Sequence, residues 1–361
     1  MSDNHTTNDS IKISLDAMGG DYAPHKIVEG AVLAAKEYQI PLILVGDESK
    51  VQAELSKHDY SSHLIEIKHA PDIITMHDSP LDVIRKKKNC SLRIAFDQVK
   101  SGDAQAVFTA GNSGAALTAS LFVLDRLKGI DRPAIATVIP TLKGPVIVID
   151  AGANNICKPF NLVQFAIMAS VYGECLLNNI EPRIGVLSNG EEDSKGTKLT
   201  RETNSLLKES SFNYIGYVEG KHIFNGDVDI VVCDGFVGNI LLKVTEGLAE
   251  SIIPALTSEI QKSFSSQLGY ILAKKSFKDF KKWFDYSSYG GAPLLGVNGG
   301  VIIGHGRSSA KAVKNAVKAA YDFIDRKVIE HLVEDLKESH DLHTIGKKHH
   351  LLEKVFKKEP H

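Results

Sequence analysis

An α/β fold built on one mainly parallel sheet is what this 361-residue sequence predicts, and three observations predict it. Short apolar runs of strand character alternate with stretches whose apolar residues recur at helical spacing. Strand after strand ends in glycine joined by Asp, Asn, Ser, Lys or His, the chemistry found at the carboxyl edge of open sheets, where ligands bind. One stretch, 246–284, carries no strand signal and reads as a separate helical hairpin.

The first strand sets the pattern. Ile11, Ile13 and Leu15 alternate with Lys12 and Ser14, the period of a strand. The run then meets Asp16, Gly19, Gly20 and Asp21, with Pro24 closing the turn. Ile27, Val28, Ala31, Val32 and Ala35 mark one face of the helix that follows. Paired glycines between strand and helix expose backbone N–H groups that suit an anion, although no G-x-G-x-x-G fingerprint accompanies them.

Strands at 42–45 and 64–67 follow, with a helix over 51–57 between them. The segment 76–80 reads as a loop leading to a helix that ends in the basic run 85–88. That run is either a solvated face or a docking patch for an acidic or phosphate-bearing partner. A helix over 92–100 and a buried strand over 106–108 lead to Gly111, Asn112, Ser113 and Gly114, then to a helix over 116–127. Asn112 and Ser113 can donate to an anion or a carbonyl; the bland reading is a tight turn that needs its glycines.

Strands over 133–140 and 145–150 come next, the second ending in Asp150, Gly152 and Asn154 before a helix over 162–177. A strand over 183–187 ends in the charged loop 188–196, where Lys195 and Gly196 stand just before a helix over 199–207 and offer an anion contact. Strands at 214–218 and 230–233 precede Asp234, Gly235, Gly238 and Asn239, then a helix over 240–249. A last strand, 301–303, precedes Gly304, His305, Gly306 and Arg307 and a long helix over 310–337.

In the hairpin, Ile253, Leu256, Ile260 and Phe264 hold helical spacing, and Leu268, Ile271 and Leu272 open a second helix. Ser265-Ser266 or Gly269 marks the turn between them. The segment 262–284 holds six lysines, one carboxylate (Asp279) and the single tryptophan, Trp283. Such a composition suits a helix lying in an anionic membrane surface. It equally suits a dimer interface with its lysines in water.

Composition excludes some classes. Lys plus Arg total 42 against 44 for Asp plus Glu, so no global field points to nucleic acid. No apolar run reaches the ~18–20 residues that span a bilayer. The first ten residues are polar and carry no secretory signal. Cys90, Cys157, Cys175 and Cys233 form no C-x-x-C pair and read as reduced thiols of a cytoplasmic protein.

The motifs DAMGGDYAP (16–24), RKKKNCS (85–91), AGNSGA (110–115), GIDRPA (129–134), CKPFNLVQFAIMAS (157–170), CDGFVGNILLK (233–243), YGGAPLLGVNG (289–299) and GHGRSS (304–309) stand in one order. In them the chain resembles the bacterial phosphate acyltransferases, which move a fatty acyl group from acyl-acyl-carrier-protein to phosphate. It departs from their pattern at His77, Lys198 and Arg307.

The resemblance implies a three-layer α/β/α fold of the isocitrate dehydrogenase and phosphotransacetylase group, spanning 11–336 between a short extension (1–10) and a tail (337–361) rich in histidine. It implies inorganic phosphate and acyl carrier protein as partners and no cofactor or metal. A homodimer, reversible attachment to the inner face of the cell membrane, and coupling to an integral membrane glycerol-3-phosphate acyltransferase follow with it. Lys274, Lys275, Lys278, Lys281, Lys282 and Trp283 would then touch the membrane.

On this reading the catalytic candidates are Asp16, Asn112, Lys195, Asn239 and His305. Gly19, Gly20, Asp21, Gly111, Ser113, Gly114, Asn154, Gly196, Asp234, Gly238 and Asn298 would line the substrates. Phosphate is assigned to the Gly19-Gly20 turn, Asn112-Ser113 and Lys195; Asn154, Asn239 and Asn298 would orient or polarise the carbonyl. His305 would protonate the leaving thiolate. Asp16, Asp150 and Asp234 would hold lysines and backbone amides, or Asp16 would act as a base. Three alternatives stay open: a coenzyme-A-dependent phosphotransacylase, a metal-dependent dehydrogenase using Asp150 and Asp234, and a membrane scaffold without activity. An acyl-enzyme on Cys157 or Cys233 ranks low.

Overall fold

The computed structural model describes residues 11–141, 143–178, 180–283 and 290–338, with side chains described except at 281–283 and 338. The N-terminal extension, Tyr289, the histidine-rich part of the tail and the side chains of Lys281, Lys282 and Trp283 lie outside these residues.

The first half of the chain runs β1 (Ile13–Asp16), α1 (His25–Tyr38), β2 (Leu42–Gly46), α2 (Glu48–Leu55), β3 (Ile65–His69), α3 (Asp82–Arg85), α4 (Ser91–Ser101), β4 (Ala106–Thr109) and α5 (Ser113–Ala119). Next come β5 (Ala134–Thr141), β6 (Gly144–Ile149), α6 (Pro159–Leu177), β7 (Ile184–Leu187), α7 (Lys198–Lys208), β8 (Tyr214–Val218) and β9 (Ile230–Val232). The last elements are α8 (Gly235–Gln261), α9 (Phe264–Leu272), α10 (Lys274–Trp283), β10 (Ala292–Leu295), β11 (Gly300–Ile303), α11 (Ala310–Asp325) and α12 (Val328–Glu338). The described residues divide into two compact units, 11–126 with 290–329, and 127–283 with 330–338.

In the first unit the strand order is β3-β2-β1-β4-β11-β10, parallel except that β10 runs against β11. Ile13, Leu15, Leu42, Leu44, Ala106 and Phe108 alternate onto the face covered by α1 and α11. Helix α4 packs against β1, β2 and β4 as well. Strands covered on both faces need continuous apolar sequence, which is why 42–46 reads LILVG.

In the second unit the order is β5-β6-β9-β7-β8, with β5 and β6 an antiparallel hairpin and the remaining pairs parallel. Helix α6 is apolar all round because it is a core helix. It is 19 residues long and passes the length and composition test for a membrane span, contrary to the sequence expectation, yet it is mostly buried.

Several predicted boundaries move, each for a local reason. The helix expected over 116–127 starts at Ser113 and gives way to a π-helical turn, Ser120–Leu124. The long final helix breaks at Lys327, which adopts a left-handed φ of 51°. The hairpin turns at Ser263, whose hydroxyl accepts the Ser266 N–H and caps α9, and again at Ala273; Ser265, Ser266 and Gly269 all lie inside α9. Strand β10 gave no sequence signal, being four residues with a proline at the second.

Candidate active site at the strand ends

In the first unit the registers Asp16↔Val45, Leu15↔Phe108 and Ile303↔Thr109 bring the carboxyl ends of β1, β4 and β11 level. Asp16 is buried there. The Thr109 hydroxyl donates to its Oδ2 at 2.9 Å and the Met18 N–H to its Oδ1 at 3.3 Å. Burial pushes this carboxyl above its ordinary range, against the pull of hydrogen bonds from Ser91 and Thr109. Among the described residues its partners are hydroxyls and backbone N–H groups, with no lysine, so of the expected lysines and backbone amides it holds the amides. Gly19 has to be glycine: a Cβ there would lie 2.4 Å from Asp16 Oδ2. Gly20, at φ +106°, passes beside the Gly306 carbonyl.

The turn's donors are largely used within the loops. Asp21 N–H donates to the Gly306 carbonyl at 2.7 Å, Gly111 N–H to Thr109 Oγ1 at 3.1 Å, and Gly19 N–H to the Asp16 carbonyl at 3.3 Å. Asn112 is likewise committed. Its Oδ1 accepts the Ala115 N–H and caps α5, while its Nδ2 donates to the carbonyls of Thr75 and Asp78. In this arrangement the side chain expected to donate to an anion clasps the 75–78 loop.

Lys87 is the lead partner holding the Asp78 carboxyl down to about 2, helped by the backbone and hydroxyl of Thr75. Lys87 thereby leaves the basic run as a structural cation, and Lys86 pairs with Asp82. Ser113 is exposed at the first turn of α5, and a Cβ on Gly114 would lie 2.9 Å from Pro80. Asn298, expected to orient or polarise the carbonyl, donates its Nδ2 to the carbonyls of Leu124 and Arg126 and ties down a loop. His305 Nδ1 accepts the Arg307 N–H at 3.1 Å, which puts the proton of a neutral ring on Nε2.

In the second unit the registers Ile149↔Val232 and Val186↔Val232 align the ends of β6, β9 and β7. The buried Asp150 carboxylate fills its own nest. Its Oδ1 accepts from the N–H groups of Ile135, Gly152 and Ala153, and its Oδ2 from the backbone N–H (2.6 Å) and Nδ2 (2.9 Å) of Asn154. Burial pushes its carboxyl up against these five donors. Asn154 Nδ2 also donates to the Pro133 carbonyl at 2.7 Å, so the amide expected to polarise a substrate is spent inside the protein. Asp234 caps α8 by accepting the Val237 N–H. Gly238 lets α8 approach β6: a Cβ would sit 1.9 Å from the Asp150 carbonyl oxygen.

Among the described residues, Asn239 and Lys195 on this edge remain uncommitted, and the buried Ser188 hydroxyl at the end of β7 has no hydrogen-bond partner. Asn239 is exposed on α8 above Gly152, and its amide has no hydrogen-bond partner among the described residues. Lys195 is exposed, its backbone N–H donates to the Glu192 carbonyl, and its ammonium makes no ion pair among the described residues. Gly196, at φ +81°, gives the turn into α7 and donates its N–H to Asn189 Oδ1. The thiols are poor nucleophiles. Burial pushes Cys157 up to about 12 and Cys233 well above its ordinary value.

A family model described as "Fatty acid synthesis protein" matches residues 11–331. A phosphate acyltransferase of Geobacter sulfurreducens is 55% identical over 327 residues, covering 91% of this chain and 94% of that one. The chain belongs to the phosphate acyltransferase family. A phosphate acyltransferase of Geotalea daltonii agrees, at 54% identity over 333 residues, with 92% and 96% covered.

Among solved structures, a phosphotransacetylase from Streptococcus pyogenes matches with a TM-score of 0.58 at 16% identity, over 88% of this chain and 95% of that one. A branched-chain phosphotransacylase from Enterococcus faecalis matches at 0.52 and 16%, over 91% and 100%. At such identities the likeness shows the fold, and that fold is the expected three-layer α/β/α. The phosphate acyltransferase chain is thus an enzyme, and sequence reasoning missed Ser91 and Thr109 as the hydroxyls on Asp16. Thr109, the last residue of β4, carried the one available signal: a hydroxyl directly before the glycine loop.

Proposed function

We propose that this acyltransferase moves a long-chain acyl group from the thioester of acyl-acyl-carrier-protein to inorganic phosphate, giving acyl phosphate for phospholipid synthesis. A phosphate oxygen attacks the thioester carbonyl carbon, the C–S bond breaks, and the departing sulfur takes a proton to leave free carrier-protein thiol. Phosphate supplies its own nucleophile, so the protein's task is to position it and to stabilise the oxyanion.

The observation that carries the reading is the edge formed by β6, β9 and β7, where among the described residues the Lys195 ammonium makes no ion pair and the Asn239 amide no hydrogen bond, while Asn154 and Asp234 are engaged. Lys195 fits phosphate and Asn239 the oxyanion. Asp150 and Asp234, which a metal-dependent dehydrogenase would need, are engaged with N–H donors.

The enzyme works as a cytoplasmic homodimer bound reversibly to an anionic membrane surface, where an integral membrane glycerol-3-phosphate acyltransferase takes its product. Exposed Phe264, Leu268, Ile271 and Leu272 on α9, beside exposed Lys274, Lys275 and Lys278 on α10, support the membrane contact.

The deciding experiment is phosphate-dependent thiol release from palmitoyl-carrier protein, with acyl phosphate trapped by hydroxylamine. Lys195→Met should raise the phosphate KM, and Asn239→Ala should lower turnover by about 10²–10³-fold. Turnover with acyl-coenzyme A and none with carrier protein would move the enzyme to the coenzyme-A-dependent phosphotransacylases.

A further inference from the structure

We infer that His222 is a positioning residue for the loop that presents Lys195; the inference rests on the reading of Lys195 as the phosphate contact. Strand β8 ends at Val218, and the chain then makes a short 3-10 turn, Gly220–Ile223. That turn fixes the imidazole. His222 N–H donates to the Glu219 carbonyl at 2.9 Å, and Glu219 N–H donates back to His222 Nδ1 at 3.4 Å. With Nδ1 accepting, the ring's donor is Nε2, and Nε2 lies 3.3 Å from Glu191 Oε1. Glu191 belongs to the loop 188–196 that follows β7, so the contact ties the end of one strand to the loop of its neighbour.

The loop's other restraints act elsewhere. Its base is held where Ser188 N–H meets the Val218 carbonyl and Gly196 N–H meets Asn189. Its far side is held where Asp193 accepts from Lys208 and Asn204. Between them, Glu191 is the handle on the arm that reaches Lys195. The next residue, Glu192, receives the Lys195 N–H on its carbonyl at 2.9 Å. A shift of Glu191 therefore passes through one peptide and one hydrogen bond to the lysine backbone.

His222 has a second effect, through charge. Glu219, on the same turn, is already paired with Lys221 at 3.0 Å, and Asp227 with Lys143. Glu191 is thus the carboxylate left for the imidazole. The Lys195 side chain folds over Gly190, where an added Cβ would meet Lys195 Cγ at 2.7 Å. A Glu191 carboxylate freed from His222 is next in chain to that glycine and competes with phosphate for the Lys195 ammonium. A neutral imidazole is sufficient for both effects.

The test is initial-rate kinetics of the full-length enzyme with phosphate varied. His222→Ala should raise the phosphate KM about five- to tenfold with kcat within about twofold, because it loosens a contact made to bound phosphate and not to the transition state alone. His222→Gln can accept from Glu219 N–H and donate to Glu191, and should restore the parental KM. In a Lys195→Met background, His222→Ala should add nothing to the phosphate KM.

A raised KM in Lys195→Met beside an unchanged one in His222→Ala overturns the inference alone. So does an equal effect of His222→Ala with and without Lys195, or failure of glutamine to rescue, since either marks a merely structural histidine. An unchanged phosphate KM in Lys195→Met overturns the assignment of Lys195 itself and this role with it.

Discussion

Asp16 and Asp150 occupy equivalent chemical positions, each a buried aspartate at the end of a strand, and differ in what surrounds them. Asp150 gathers five N–H donors, whereas Asp16 has two hydroxyls and longer backbone bonds. For Asp16, burial dominates and the folded-state pKa lies above 3.8. The folded protein therefore binds this proton more tightly than the unfolded chain does. Its contribution to stability is fully present below the unfolded pKa and is lost as pH rises through the folded pKa. Asp16→Asn removes that loss. Its melting temperature relative to the parent should rise as pH climbs above the ordinary carboxyl range towards the raised folded-state pKa, while turnover falls if Asp16 serves as a base. An offset that stays constant as pH rises from the ordinary carboxyl range would show that the carboxyl's ionisation carries no cost.

At the scale of elements, the strand–loop–helix units were legible because buried parallel strands are continuous apolar runs and their exits concentrate glycine with polar residues. What could not be read was which polar side chains stay free. Asn112, Asn154, Asn239 and Asn298 look alike in sequence. Three are spent on carbonyls at Thr75 and Asp78, at Pro133, and at Leu124 and Arg126, partners 21 to 174 residues away, and Asn239 alone is left. Helix ends failed for a similar reason. Gly269 is the stronger breaker by composition, but the Ser263 hydroxyl caps a helix that runs through it. The α9–α10 hairpin leaves Leu272 at 83% exposure and Phe264 at 81%, beside Lys274, Lys275 and Lys278. If this face meets anionic lipid, each lysine adds about 1 kcal/mol, so reversing all three to glutamate should weaken binding to phosphatidylglycerol vesicles by at least about 100-fold. Soluble turnover should persist in that variant, and unaltered vesicle binding would assign the hairpin to protein contacts.

For the molecule as a whole, the feature that a single chain leaves unexplained is the outer face of α8. Phe236, Ile240, Val244 and Leu248 recur every fourth residue at 58%, 49%, 63% and 56% exposure, a stripe of one helix face. Isolated exposed apolar side chains are ordinary, but a contiguous row along one helix marks a contact surface. A second copy of the chain is the occupant that fits the proposed homodimer, with the α9–α10 lysines remaining for the membrane. Burying what remains exposed of such side chains contributes roughly half of the ~1.5–3 kcal/mol of full burial, so the four from each protomer would form the apolar centre of a dimer contact and not the whole of it. Sedimentation should then give twice the 39.3 kDa chain mass. Val244→Glu with Leu248→Glu puts two unpaired carboxylates into that contact and should yield monomer, because a buried unpaired charge costs more than the lost apolar area. Both residues are exposed in the single chain, so the melting transition of the monomer itself should stay cooperative. A variant that still sediments as a dimer would remove α8 from the interface and leave its stripe to the carrier protein or the lipid.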